Sequence, residues 1–457
     1  MLNVCFIYIL QIFLLRGKIH FRKTRITRKK MATAIIIAAL TCVAFICNIL
    51  IKPYVNIKGK SYSIYWVAPL LGAVLMLCFK VITPKQLLDG LTADSDINPI
   101  KILILFLSVT LMSVLLDSAG FFRLLASKTL AMARHSQWAL FICLYLTVSV
   151  LTVFTSNDII VLTFTPFICY FAHNARIDPI PYLFGEFVAA NTWSMALVIG
   201  NPTNIYLAGT AGISFGEYLI TMAVPTLFTG IISLAMLCLV FRKKLSTPMK
   251  AEEGEKVETD KPLMILGVIH LGICILLMAV SSVIKAPMWL ISLICFISQY
   301  LCSFIYCAAR KRLMYMRESV KRAPVITVPF VISMFCIVLA LVNTGATDAV
   351  SNYLLSGNSI IKCGISSFLC SNLINNIPMS VLFSALVGGE KASVYASVIG
   401  SNLGAFLTPV GALAGIMWTG MLKNHGVKLS FIKFSLYGTV ISVPAMIAAL
   451  LGLIIVM

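Results

Sequence analysis

Charge is scarce in this chain. Asp, Glu, Lys and Arg make up 11% of its 457 residues, where a soluble domain carries about a quarter. Acids are the scarcer sign, with 16 Asp and Glu against 36 Lys and Arg and a net charge of +20. No long polar stretch is left for a separate soluble domain. The 14 cysteines contain no Cys-x-x-Cys pair and no Cys/His ligand spacing, so they are expected to pack as small hydrophobes and no metal site is assigned. A His-Glu-x-x-His zinc motif and paired intramembrane aspartates are also missing, which argues against a membrane-embedded enzyme. No catalytic residue is assigned.

What remains is apolar. Hydrophobic residues reach 60% and mean hydropathy is +0.98. The composition predicts an all-α polytopic membrane protein, multi-pass in the plasma membrane, whose first partner is the lipid bilayer. Spans are expected at 32–51, 62–80, 100–117, 182–200, 216–241, 263–284, 287–309, 325–343, 392–419 and 431–456. The positive charge invites a nucleic-acid reading, but the basic residues gather at the ends of apolar segments, so nucleic acid is not expected as a partner. If the segment at 32–51 runs from outside to inside, the cytoplasmic connections hold 22 Lys and Arg and the outside 14, of which 8 lie in residues 16–30. Setting those aside leaves 22 against 6, which selects this orientation. Residues 1–30 do not fit the bias. They are expected to be an N-terminal extension that is not in the native product, translation starting at Met31; a signal-like or peripheral extension is the alternative.

Two polar breaks interrupt the apolar runs. The first is Thr155-Ser156-Asn157-Asp158 within 138–172, and the second is Ser371-Asn372-Leu373-Ile374-Asn375-Asn376 within 359–388. Apolar arms of about 14 residues are too short to cross a core of ~30 Å at ~1.5 Å per residue. Each region is therefore expected to be a re-entrant hairpin with its tip at membrane depth. An ordinary pair of spans joined by an Asn-containing turn is the alternative. Ahead of each lies an amphipathic segment, 120–134 and the weaker 346–356, expected at the interface.

After each hairpin comes a helix-like run broken at Gly and Pro. One runs from Asn191 to Gly200 and on through Asn201-Pro202-Thr203-Asn204. The other runs from Asn402 through Thr408-Pro409-Val410-Gly411. An Asn and a Gly nine positions apart recur in both. The shared order predicts an inverted repeat with two re-entrant helical hairpins and two broken transmembrane helices. The first half is 31–241, with hairpin 138–172 and broken helix 182–205. A cytoplasmic linker covers 242–262. The second half is 263–457, with hairpin 359–388 and broken helix 392–419.

Helices that stop inside a membrane expose N–H groups at one end and C=O groups at the other, which attract anions and cations respectively. Asn, Ser and Thr add neutral ligands, and Gly and Pro open the backbone. The candidate substrate and ion ligands are Ser156, Asn157, Asp158, Asn191, Gly200, Asn201, Pro202, Thr203, Asn375, Asn376, Pro378, Asn402, Thr408, Pro409 and Gly411. Asp158 is the one carboxylate at a hairpin tip and the candidate coupling residue, its bland role being a helix cap. Glu186 faces the bundle or the interface with equal weight. His270 is expected to be a satisfied packing residue.

Four stretches carry a resemblance: Val114-Leu115-Leu116-Asp117-Ser118-Ala119-Gly120-Phe121-Phe122; Ser156-Asn157-Asp158 through Thr165-Pro166-Phe167; Ile374-Asn375-Asn376-Ile377-Pro378; and Tyr395 through Gly411 with Trp418. Over about 32–456 the chain resembles the ion transporter superfamily, and within it the arsenical pump membrane protein (arsenite/antimonite permease) family. The resemblance implies scaffold helices beside a moving unit of hairpin and broken helix, a homodimer, and in some members a soluble ATPase subunit. It implies a secondary transporter of a small anionic substrate, first of all arsenite or antimonite efflux coupled to protons. A sodium- or proton-coupled di- or tricarboxylate (citrate-like) transporter, or a sodium/proton antiporter, is the alternative. The coupling ion is H+ or Na+, with no other cofactor. The permease pattern has an Asp at the place of Asn402 and a Lys at that of Phe406, and Gly200-Asn201-Pro202-Thr203-Asn204 is more similar to the organic-anion branches.

Overall fold

The computed structural model describes residues 25–51, 54–57, 60–93, 98–132, 136–249 and 259–457. Residues 1–24 and most of the charged linker lie outside them, while residues 25–30 form the first turns of α1 (Arg25–Ile51).

The first series continues with an antiparallel hairpin, β1 (Tyr54–Ile57) and β2 (Lys60–Ser63), in which Tyr54 pairs with Ser63 and Ile57 with Lys60. Then follow α2 (Val67–Cys78), α3 (Pro84–Thr92), α4 (Pro99–Ser118), α5 (Phe121–Met132), α6 (Gln137–Phe154), α7 (Asn157–Ala175), α8 (Ile180–Trp193), α9 (Pro202–Thr210) and α10 (Phe215–Leu245). The second series is α11 (Lys261–Ala279), α12 (Met288–Ala309), α13 (Met314–Lys321), α14 (Thr327–Asn343) and α15 (Asp348–Leu355). It ends with α16 (Ser359–Ile374), α17 (Asn376–Leu386), α18 (Lys391–Gly404), α19 (Leu413–Asn424) and α20 (Phe431–Val456).

Local sequence sets where these helices begin. A capping box of Thr83 and Gln86 starts α3, and Asn98 ahead of Pro99 starts α4. Ser136, Ser214, Asp260 and Ser430 cap α6, α10, α11 and α20 by accepting a backbone N–H two or three residues inside. Among the described residues, seven helices are long and apolar enough to cross a membrane: α1, α4, α6, α10, α11, α12 and α20. Their outer faces present Leu40, Ile231, Leu276, Ile294 and Ile447 at more than half exposure, side chains that only a lipid surround makes inexpensive. α8 is the opposite case, with every residue from Pro181 to Thr192 buried.

Neighbours repeat at an offset of ten. α6 packs on α8 as α16 packs on α18, and α7 packs on α8 as α17 packs on α18. α4 packs on α12 as α14 packs on α2, and α8 packs on α10 as α18 packs on α20. Among the pairings that cross between the series, α7 packs on α19 and α17 on α9, while α10 and α20 pack on each other.

Several expectations need correction. The first polar region is not built of short arms, because α6 and α7 run for 18 and 19 residues. Polar flanks continue both helices: Gln137 lies inside α6, and His173 and Asn174 lie inside α7, which closes only at Arg176 in the left-handed region (φ 55°). By length α6 can cross a bilayer. The second region keeps short arms of 16 and 11 residues. The span expected at 62–80 is helical only over Val67–Cys78, since β2 takes its start. The one expected at 263–284 ends at Ala279, with a separate turn at Ser281–Ile284. The amphipathic segments appear as α5 and α15, and α15 turns 88° away from α14. His270 is satisfied by the Leu266 carbonyl at 2.9 Å and Ser298 Oγ at 3.2 Å.

Candidate functional site

The two broken helices stop where the sequence places its Asn, Gly and Pro. α8 ends at Trp193, and two 3-10 turns, Ser194–Ala196 and Val198–Gly200, lead to α9. Asn201 caps α9 by accepting the Thr203 N–H at 3.2 Å, and Pro202 sits at the first position, where a missing N–H is harmless. α18 ends at Gly404, and residues 405–412 lead to α19. Gly200 and Gly411 occupy equivalent places in the two breaks. A Cβ on Gly200 would run into the Ser194 carbonyl, and one on Gly411 into the Gly404 carbonyl and Asn372 Oδ1. Backbone packs on backbone at both sites, and only glycine leaves room.

One polar cluster joins the first tip to both halves. Asn157 Nδ2 donates to Asn191 Oδ1 at 3.1 Å. The single Ser194 O–H is shared between the Asn191 carbonyl and Asn402 Oδ1, each at 3.0 Å. Asn201 Nδ2 donates to the same Asn402 oxygen at 3.0 Å. Asn402 Nδ2 donates in turn to Asn204 Oδ1 at 2.7 Å and to the Val398 carbonyl at 2.9 Å. A primary amide has two lone pairs and two N–H groups, so the hydrogen-bonding capacity of Asn402 is full. It serves here as a clasp between the halves. Asn204 is filled as well, donating to the Ser194 and Leu197 carbonyls at 2.8 and 3.2 Å and accepting from Asn402 and Thr203.

A second cluster holds the other tip. Asn372 Nδ2 donates to the Phe368 and Gly404 carbonyls at 3.0 Å, and its Oδ1 accepts Thr408 Oγ1 at 2.6 Å. Asn375 Nδ2 donates to the Val410 carbonyl at 3.1 Å, and the Asn376 N–H donates to the Gly411 carbonyl at 3.0 Å. Between α16 and α17, Asn375 has φ 72° and ψ 155°. That region is close to glycine-only and costs roughly 1–3 kcal/mol, so the tip is strained and its side-chain anchor offsets the strain. Pro378 is the third residue of α17, and Pro409 lies in the connection to α19 beside Gly415. The two clusters meet on α18, where Asn402 belongs to one and Gly404 to the other.

Four helix N-termini, those of α7, α9, α17 and α19, open at these tips and breaks. Ser156, the α7 cap residue, makes no capping bond, and its buried Oγ has no partner among the described residues. Asn376 Oδ1 at the start of α17 and Ser401 Oγ on α18 are buried and unpartnered in the same sense. Native structures rarely leave such atoms unused, so these three are candidates to meet a ligand, as is Thr192 Oγ1 beside Asn191. Asp158 is partly exposed at the second position of α7; the cap is Ser156, so Asp158 is not the cap.

The residue pattern passed over two groups and left Glu186 undecided between bundle and interface. Ser194, Asn204 and Asn372 are central to the clusters, and their signal was their place beside the chosen asparagines. Glu186 is fully buried and bonded to Thr165, which no periodicity rule separates from an interfacial acid. Gly212-Ile213-Ser214-Phe215-Gly216 has the Gly-x-Ser-x-Gly spacing of a nucleophile elbow. It follows a helix and not a strand, and Ser214 Oγ is spent capping α10.

Two cavities flank this region. One, of about 430 Å³, lies where the C-terminal end of α7 and the start of α8 meet the loop after α19; Cys169, His173, Arg176 and Lys428 are among its walls. The other, of about 180 Å³, lies between the starts of α4 and α12 and the end of α9.

An apolar helical bundle with an uncharged polar seam between broken helices is the architecture of a membrane transporter. The citrate transporter family model (CitMHS) matches residues 57–394, well over half of the chain. The chain therefore belongs to that family of membrane transporters and is a multi-pass protein of the plasma membrane, not an enzyme. It is 25% identical over 419 residues to the arsenical pump membrane protein of Escherichia coli (strain K12), covering 87% of this chain and 94% of that one. It is 24% identical over 400 residues to a 46 kDa membrane protein of Mycobacterium leprae, covering 82% and 90%. Among solved structures, the YdaH transporter of Alcanivorax borkumensis superposes with a TM-score of 0.54 at 13% identity, covering 92% of this chain and 97% of that one. That likeness concerns the fold.

Proposed function

We propose that the protein is a secondary active transporter that carries a small anion by alternating access through an inverted repeat. The observation that carries this reading is that four helices begin at the tips and breaks whose Asn, Ser and Thr clusters meet on α18, with Ser156 and Asn376 holding unused polar atoms. Each N-terminus carries about half a positive charge, so several together hold an anion without a buried Lys or Arg. The offset-of-ten packing supports the repeat, because each helix and its counterpart have equivalent neighbours. The crossed pairs α7–α19 and α17–α9 support the inversion: each second hairpin arm lies on the second half of the other series' broken helix. The α16–α17 pair is the re-entrant hairpin of this scheme, and the α6–α7 pair its longer counterpart. The cavities lie on loops that the charge bias assigns to opposite sides, 173–181 with 420–433 against 210–215 with 285–288.

A citrate-like di- or tricarboxylate is the favoured cargo. Several carboxylates match several N-termini, and Asn402 and Phe406 stand where the permease pattern has charges. Arsenite or antimonite efflux is the second reading, supported by the seam's lack of charge and by relatives named arsenical pump membrane protein. Asp158 is the tip's candidate for ion coupling, with H+ or Na+ as the ion. Purified protein in liposomes would be tested for flux of labelled citrate and of arsenite, each with a sodium gradient, a proton gradient or neither. Gradient-dependent citrate accumulation with substrate counterflow is expected. Gradient-driven arsenite movement without citrate flux would replace the first reading by the second, and flux of either without counterflow would indicate a channel.

A further inference from the structure

Glu186 is a carboxyl group for which the polar seam has no use. It lies on α8, five residues from Asn191, and is 0% exposed. Its two carboxyl oxygens face the Thr165 hydroxyl on α7, at 3.1 and 3.0 Å, and the Trp418 indole of α19 is directed at the same carboxyl. It forms no ion pair among the described residues.

The elements packed on α8 present no cation to it. α6 contains no charged residue, and it sets Phe141 against Gly185. α7 carries charge only at its ends, Asp158 and His173, and turns Thr165 and Cys169 toward Glu186. The charges of α10 are Glu217 in its first turn and Arg242, Lys243 and Lys244 in its last. α18 has Lys391 alone, at its first residue, paired with Glu217. α19 contributes Trp418, stacked on Phe187 with centroids 4.9 Å apart, and has Lys423 only in its last turn; α20, which meets α8 through Phe434, has Lys433 alone, in its first turn. A carboxylate in such a place carries a charge that neither water nor a counterion compensates, and a bound proton removes that charge. Thr165 suits both forms. Its O–H donates to the ionised carboxylate, and its oxygen accepts from the protonated carboxyl.

A cavity opens one helical turn from the Thr165 partner of Glu186. Cys169, one turn beyond Thr165 on the same face of α7, lines the cavity of about 430 Å³ together with His173, Asp178, His425 and Lys428. Along α8, Glu186 lies roughly 9 Å from the cavity at Ile180 and roughly 7 Å from Asn191, at ~1.5 Å per residue. Along α8 the carboxyl group therefore stands between the cavity and the seam.

We propose that Glu186 is a second proton-binding residue of this transporter, separate from the tip carboxylate Asp158 and loaded from the cavity at the α7–α8 corner. The proposal rests on the reading of a gradient-driven carrier. Wild-type, Glu186→Gln and Glu186→Asp proteins would be purified, checked for monodispersity and reconstituted. Citrate and arsenite accumulation would then be measured with and without an imposed pH gradient. The amide of Gln keeps the bond to Thr165 and nearly the shape but binds no proton, whereas Asp keeps the titrating group. Loss of gradient-driven accumulation in Glu186→Gln with partial rescue in Glu186→Asp is expected. A merely structural Glu186 would give the reverse order, with Gln the better substitute, and that result overturns the proposal. If wild-type protein moves neither probe, the cargo reading fails on its own. Glu186 is then decided by infrared pH titration of the same proteins: a carboxylic-acid C=O band present in wild type and missing in Glu186→Gln supports it, and identical spectra sink it.

Discussion

Replacing Asn402 by Ala removes four hydrogen bonds at one stroke, those with Ser194, Asn201, Asn204 and the Val398 carbonyl. The partners fare differently. Ser194 keeps the Asn191 carbonyl at 3.0 Å, but Asn201 loses its bonded N–H and Asn204 Oδ1 is left with Thr203 Oγ1 at 3.5 Å. All of these residues are buried. Two orphaned groups at roughly 1–3 kcal/mol each predict a loss of about 2–6 kcal/mol. Interhelical bonds in membranes average nearer ~0.6 kcal/mol, and the three that leave α18 still sum to about 2 kcal/mol. Both routes place the destabilisation of Asn402→Ala at about 2 kcal/mol or more. The assay is reversible unfolding in mixed detergent–SDS micelles, followed by tryptophan fluorescence. Asn402→Asp is the informative comparison. It keeps the acceptor for Ser194 and Asn201, loses the donor, and turns a carboxylate oxygen toward Asn204 Oδ1, so a comparable loss is expected. A change within about 0.5 kcal/mol for Asn402→Ala, typical of a surface position, would refute the assignment of Asn402 as the clasp between the halves.

Other positions give independent tests. Asn375→Ala removes the anchor on Val410 while keeping the strained backbone, whereas Asn375→Gly removes both anchor and strain; unfolding should place Ala below Gly by about 1 kcal/mol, and equal stabilities would remove the argument from strain. Asp158→Asn should reduce accumulation driven by a proton or a sodium gradient several-fold in folded protein, and unchanged coupled flux would leave Asp158 a residue of the first helical turn. Asp260, at the interfacial start of α11, is pushed up by burial, but the Arg312 guanidinium, the Leu263 N–H and the Tyr306 hydroxyl outweigh this and hold it below the usual carboxylate range. Since the folded-state value is lowered, its contribution is complete above the ordinary value of 3.8 and fades as pH falls through the folded value beneath it. The stability gap between wild type and Asp260→Asn should therefore be flat near neutrality and shrink only below about pH 4, and a gap that changed between pH 6 and 8 would contradict the pairing.

Much of the architecture was legible in the residues. Long apolar runs became α4, α10, α12 and α20 because each helix satisfies its own backbone and its side chains suit lipid. Asn201-Pro202 and Asn375 marked helix ends for local reasons, capping and the missing N–H of proline, which need no tertiary information. Arm lengths were misjudged for a reason equally local. Hydropathy sees Gln137, His173 and Asn174 as loop, whereas a helix ends where its backbone turns, and α7 turns only at Arg176.

The sequence by itself determined the class of the molecule, the positions of its two tips and two breaks, and the neutral chemistry of the seam. These follow from composition and from short-range backbone preferences, both written in consecutive residues. Only the tertiary structure decided what each polar group does. Asn402 and Asn376 look alike in sequence, yet one has every hydrogen-bonding site filled and the other a free buried oxygen. Glu186 looked as interfacial as buried until α7 and α19 closed over it. Hydrogen-bond capacity is filled by groups that lie up to two hundred residues away along the chain, and burial is set by neighbours that no local pattern names.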